Sequence, residues 1–295
     1  MKHQNKIKTL KFLAKHILRC FLYLLFAVIF GISLRVFLLV SCKVPTPSMT
    51  PAILPGDYIL VNKMIPGPRI FTGWGFLNGT DFEMKRLKGY RKVKRNDVLV
   101  FNFPYSDWNK LQIDLNVFYA KRCVAIPGDT LYIDSGIYRV KGVDETLGCL
   151  DFQLRVSNTP AENFPPGVYR CFPFHDAFGW NIRDFGPLYV PGAGDAVTVD
   201  SLNVYLYKNL IEYETGYPVT VRDGQVFRNG HPIREYVFRK NYYFMAGDYA
   251  PDSRDSRYWG LLPEDHIVGK AFVIWRSSDM QTGKWKWKRF FTPIQ

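Results

Sequence analysis

From Cys20 to Val40 the chain is almost continuously apolar, FLYLLFAVIFGISLRVFLLV after the cysteine. About 20 such residues are enough to cross the hydrocarbon core of a bilayer as a helix. No other feature constrains the fold as strongly. Arg35 is the only charge in the run and lies near its end, where a long side chain can reach the interface. Lys2, Lys6, Lys8, Lys11, Lys15 and Arg19 precede the run without an acid among them. The positive flank therefore predicts residues 1–19 as a cytoplasmic basic tail, 20–40 as the anchor, and everything after about residue 41 outside. A cleaved secretory signal has an apolar core of only about 7 to 15 residues. Leu39-Val40-Ser41-Cys42 imitates the box before a lipidated cysteine, but the long run with Arg35 inside it argues against that.

The same segment accounts for six of the net +13 charges. Much of the basic excess is thus topological, and the remainder suits a body held near anionic headgroups rather than one that binds nucleic acid. Abundant Gly, Pro, Tyr, Phe and Trp without low-complexity tracts predict a turn-rich, aromatic, mainly β body. The five cysteines form no C-x-x-C pair and no zinc spacing with the histidines, so no metal site is expected. Cys149 and Cys171 are read either as a disulfide or as two buried thiols.

Beyond the anchor, prolines and Gly56-Asp57 lead into a short strand at Tyr58 to Val61, and residues 63–96 read as an irregular surface excursion. Further strands are expected at Asp97 to Phe103, Leu115 to Ile126, from Thr130, and at His266 to Trp275. Asp223-Gly224 and Asn229-Gly230 mark tight hairpins. No long amphipathic helix is expected outside the membrane. The predicted architecture is an antiparallel β catalytic domain, residues 41–136 and 219–275, carrying an inserted subdomain at 137–218. A basic, aromatic tail at 276–295 is read as an interfacial segment or as an edge strand.

G-x-S-x-G, H-E-x-x-H and a Walker loop are all missing. His175-Asp176 and Asp265-His266 do not suit a triad, because neighbours on a strand point to opposite faces. Three segments remain. Pro45-Thr46-Pro47-Ser48-Met49 holds a serine in a stiff backbone just past the anchor, though alone it reads as an ordinary turn. Lys121 stands inside an apolar strand that closes on Pro127-Gly128-Asp129; if its face is buried, desolvation lowers its pKa and suits it to base work. Gly247 to Gly260 is a loop dense in turn formers and charge.

Together and in this order, the three segments resemble those of bacterial signal peptidase I, the leader peptidase family. That family places its nucleophile in P-S/T-x-S-M, its base in K-R-x-x-x-x-P-G-D, and a structural loop in G-D-N-R-D-N-S-x-D-S-R-Y-W-G. The resemblance covers the anchor and residues 44–62, 97–136 and about 219–275. It implies Ser48 as nucleophile, Lys121 as general base, and Thr46 with the Ser48 N–H as oxyanion hole. It also implies that Ser253 orients the amine, that Met49 shapes the site, and that Asp255 and Arg257 support the loop. Tyr249-Ala250-Pro251 depart from the family's Asn-Arg-Asp and put a supporting ion pair in doubt. The implied substrate is the signal peptide of an exported preprotein, bound in extended form and cut after Ala-x-Ala, with no cofactor, by an enzyme resident in the bacterial inner membrane. A catalytically altered paralogue or a non-enzymatic membrane-anchored assembly protein is the alternative. Oligomeric state is not legible.

Overall fold

The computed structural model describes residues 2–72, 83–107 and 110–295, with side chains from residue 12 onward. The basic residues Lys2, Lys6, Lys8 and Lys11 lie outside the described side chains, as does part of the 63–96 excursion. Helix α1 runs Lys2–Ser33 and widens into a π-helical turn at Leu34–Leu38. Its apolar stretch, Phe12–Leu38, has 27 residues, contains an 18-residue window of mean hydropathy 2.4, and is long enough to cross a membrane.

The expected 20–40 boundaries need correction. Leu39–Lys43 is not helix but the first strand, β1, paired antiparallel with β2 (Asp57–Asn62) from Leu39↔Asn62 to Lys43↔Tyr58. An unbroken apolar run hides this switch, since the end of the helix and the start of the strand are both apolar. The helical stretch long and apolar enough for a span, Phe12–Leu38, includes Lys15 and Arg19. At the junction Lys63 Nζ donates to the carbonyls of Arg35 (2.8 Å) and Val36 (3.2 Å), tying the strand end to the last turn of the helix.

The molecule is mainly β. Its principal antiparallel sheet adds β3 (Val98–Asn102), β4 (Phe118–Ala125), β5 (Tyr242–Ala246), β6 (Leu262–Pro263), β7 (Ile267–Ser277) and β8 (Thr292–Pro293), in the order β1-β2-β7-β3-β4-β5-β6, with β8 on β7. Every residue of β3 is buried, because the sheet is covered on both faces. Period-2 alternation sends Leu99 and Phe101 into a large core, and Val98 and Val100 into a smaller one with Met49, Ile53, Ile59 and Ile274.

Strands Thr130–Asp134, Ile137–Val140 and Phe185–Tyr189 form a separate three-stranded sheet whose side chains join the large core. The predicted hairpin turns are present between Val219–Arg222, Gln225–Arg228 and His231–Ile233. Asp223, Gly224, Asn229 and Gly230 all have positive φ, as tight two-residue turns require.

Beside the short α2 (Leu150–Asn158), the twelve-residue α3 (Val204–Thr215) corrects the expectation that no long amphipathic helix follows the apolar run. α3 buries Val204, Leu206, Tyr207, Leu210 and Ile211 along one face. Its aromatic and β-branched composition imitates a strand, and tertiary burial overrides that weak propensity. Just before it Asp200 accepts from the N–H groups of Leu202 (2.8 Å) and Asn203 (2.7 Å), and Gly216 closes the helix at φ 72°.

The 276–295 segment packs onto the sheet. Arg289 grips the fully buried Asp57 (Nη2 to Oδ2, 2.6 Å), and Ile294 enters the smaller core. Trp287 and Phe291 remain 69% and 72% exposed. All five cysteines are free thiols, so Cys149 and Cys171 do not pair.

Candidate active site

Ser48 sits on the connection between β1 and β2. Val44 N–H donates to Asp57 O and Gly56 N–H to Val44 O, both at 2.9 Å, so the connection closes on itself. Within it Thr50 N–H donates to Pro47 O (2.8 Å), and the prolines leave the backbone little freedom. Met49, 1% exposed, plugs into the smaller core and thereby fixes its half-buried neighbour Ser48 at the surface of the sheet.

Lys121 comes from β4, where its directly opposed neighbour on β3 is the fully buried Leu99. The lysine is itself only 2% exposed. Its Nζ donates to Ser48 Oγ at 2.5 Å across a separation of 73 residues. Burial pushes its pKa down to about 8; nearby Asp255 opposes the shift and Arg257 adds to it. The amine therefore exchanges protons near neutrality while touching a hydroxyl. Thr46 Oγ1 lies 3.5 Å from Ser48 Oγ on the exposed side.

The Gly247 to Gly260 loop closes behind this pair. Tyr249 N–H donates to Ser48 O at 3.1 Å. Gly247 permits the approach, because a Cβ there would stand 2.5 Å from Ser48 O and would collide with Ser253 Oγ. Ser253 is 6% exposed, and its hydroxyl finds no partner in hydrogen-bonding geometry, so it does not bond the amine.

Asp255 and Arg257 form a bidentate pair, both contacts 2.8 Å, at 0% and 1% exposure. Burial opposes both charges, but the partners overcome it: Asp255 titrates below the usual carboxylate range and Arg257 well above its ordinary value. Asp255 also accepts Gly247 N–H at 2.9 Å, which fixes the loop where it meets Ser48. Tyr249, standing where the family pattern has Asn, packs edge-to-face on Phe152 of α2 at 4.7 Å, and Ala250 is buried. Aromatic packing replaces charge at this part of the loop.

Sequence reasoning missed three supports. Arg122 grips Asp248 through two 2.6 Å contacts, Arg95 grips Asp129 (2.8 and 2.5 Å), and Gly247 makes the close approach just described. Each lies in or next to a quoted motif, which was the available signal. A groove of about 170 Å³ beside the pair runs between Val44 and Pro45 on one side and Phe118 to Ala120 on the other. Among the described residues no three His, Cys, Asp or Glu side chains cluster as a metal site would require.

A hydroxyl pressed against a buried, weakly basic amine on an antiparallel β scaffold defines the class, a serine hydrolase. The model of the signal peptidase family, peptidase S26, matches residues 17–160 and 190–276, and the chain belongs to that family of serine peptidases. It is 27% identical over 288 residues to signal peptidase I of Buchnera aphidicola subsp. Acyrthosiphon pisum, covering 96% of this chain and 80% of that one. It is also 27% identical over 255 residues to signal peptidase I of Pseudomonas aeruginosa, covering 83% and 67% respectively. A crystal structure of a signal peptidase I from Enterococcus faecalis V583 aligns at 19% identity and a TM-score of 0.28, over 61% of this chain and 97% of that one.

Proposed function

We propose that the chain is a membrane-anchored endopeptidase that removes signal peptides from exported preproteins, with Ser48 as nucleophile and Lys121 as general base. The observation that carries it is the 2.5 Å contact between the Ser48 hydroxyl and the buried Lys121 amine. In the neutral form the amine takes the Ser48 proton as Oγ attacks the scissile carbonyl, then activates the water that releases the acyl-enzyme. Thr46, beside Ser48 and open to the groove, donates with the Ser48 N–H to the oxyanion. Ser253 turns toward the amine once substrate is bound, Met49 braces the serine, and Asp255 with Arg257 holds the loop behind it.

The substrate lies extended in the groove along Phe118 to Ala120 and places its small side chains there. The Phe12–Leu38 helix spans the inner membrane with its N-terminus in the cytoplasm and keeps the site at the outer bilayer surface, where signal peptides emerge. Exposed Trp285, Trp287 and Phe291, interleaved with Lys284, Lys286 and Lys288, rest at the headgroups.

Digestion of a mixed preprotein sample tests the specificity. The new N-termini are expected to follow alanine or other small residues at the first and third positions upstream; cuts without that pattern would overturn it. The pH profile tests the base. Below about pH 8 the amine is charged and cannot accept a proton. Log kcat/KM should accordingly rise with unit slope toward pH 8 and level off above it, whereas a flat profile from pH 6 to 9 would exclude Lys121 as the base.

A further inference from the structure

A second pocket, of about 310 Å³, opens between the loop behind Ser48 and a segment that the family model does not match. Val168 and Phe174 form one wall; Pro251, Asp252, Ser253 and Tyr258 form the other. The first wall belongs to residues 161–189, which fall between the two matched stretches 17–160 and 190–276. It is nonetheless clamped to the loop. Tyr258 Oη donates to Val168 O and Phe172 N–H donates to Arg257 O, each at 2.8 Å. A side chain at Gly260 would meet the Phe172 ring at 3.2 Å, so the two walls move as one body.

Phe174 is an unusual wall residue. It is 52% exposed and has a φ of 59°, a conformation that a bulky side chain adopts only at a cost. A large ring kept in a strained conformation at the mouth of a pocket does little for the core.

Ser253 links this pocket to the serine. Its buried side chain packs beside Gly247 against the Ser48 carbonyl. The groove along β4 and this pocket share no lining residue. A Cβ at Gly247 would meet both Ser253 Oγ and the Ser48 carbonyl, so the pocket begins within a few ångströms of the serine, and an extended chain advances about 3.3 Å per residue.

We infer that this pocket receives an apolar or aromatic side chain of the substrate a few residues after the scissile bond, so that the insertion makes the enzyme read the mature end as well as the signal end. The inference rests on the proposed cleavage at Ser48. Val168, Phe174, Pro251 and Tyr258 supply the apolar surface, and the exposed Asp252 and Arg254 set one charge of each sign on the lining.

The test uses the full-length chain in detergent micelles and preprotein peptides identical up to the cleavage point. Positions one to four after it carry Phe, Gly or Glu in turn. At one of these positions Phe is expected to raise kcat/KM about tenfold over Gly, with Glu giving no such gain, as for one side chain filling an apolar pocket. Phe174→Ala should bring the Phe-to-Gly ratio near one, and Phe174→Leu should recover most of it. Ratios within twofold at all four positions, or a ratio that survives Phe174→Ala, would overturn the inference while leaving cleavage intact. Failure of the Ser48 proposal looks different: no peptide of the series is then cut in a Ser48-dependent way.

Discussion

Ser48→Ala is expected to lower preprotein cleavage by about 10⁴-fold or more, Lys121→Ala by a comparable factor, and the double variant by no more than either alone. A hydroxyl is a poor nucleophile until a base takes its proton, and an amine 2.5 Å away has no role in bond breaking without the hydroxyl. Groups that act as one unit give strongly non-additive losses. Ser48 is half-buried, so its alanine variant should keep the parent's unfolding midpoint. Lys121 is almost completely enclosed, and Lys121→Met, which preserves volume, separates lost chemistry from a cavity. Rate assays on a purified preprotein in detergent decide the matter. Residual cleavage near the parent rate in both single variants would remove the pair from the mechanism.

The largest expected effect on stability is that of Asp255→Ala. It strands the Arg257 guanidinium at 1% exposure without the carboxylate that pairs with it, and breaking a buried pair from one side costs about 3 to 5 kcal/mol. For a body of this size that corresponds to a fall of roughly 10 °C in the thermal midpoint. Gly247 N–H loses its acceptor at the same time, so the loop behind Ser48 loosens and activity should fall with stability. The double variant Asp255→Ala/Arg257→Met leaves no buried charge and should recover most of the midpoint, yet not the activity. An Asp255→Ala midpoint within about 2 °C of the parent would mean that the pair does not support the loop.

The hairpins at Asp223-Gly224 and Asn229-Gly230 were legible because two-residue turns demand φ > 0 and few residue types tolerate it. Helix α3 was not, because Val204, Tyr205, Tyr207 and Ile211 suit a strand as well as a helix and only packing into the large core decides between them. The end of the anchor was misplaced for a related reason: Leu39 and Val40 are apolar in either conformation, and pairing with Val61 and Asn62 makes them strand.

For the site, local sequence determined a proline-stiffened serine, a lysine in an apolar strand, a glycine-rich charged loop and the order of the three, because stiffness, alternation and turn chemistry act over a few residues. What brings Ser48 and Lys121 together is tertiary: β7 and β3 lie between β2 and β4 in the sheet, yet the β1 to β2 connection reaches Lys121, which is buried opposite Leu99. The Arg122–Asp248 and Asp255–Arg257 pairs were likewise decided only in three dimensions, since a charge stays in the interior only where the fold delivers its partner. Local forces set the pieces, and long-range burial chose which of them meet.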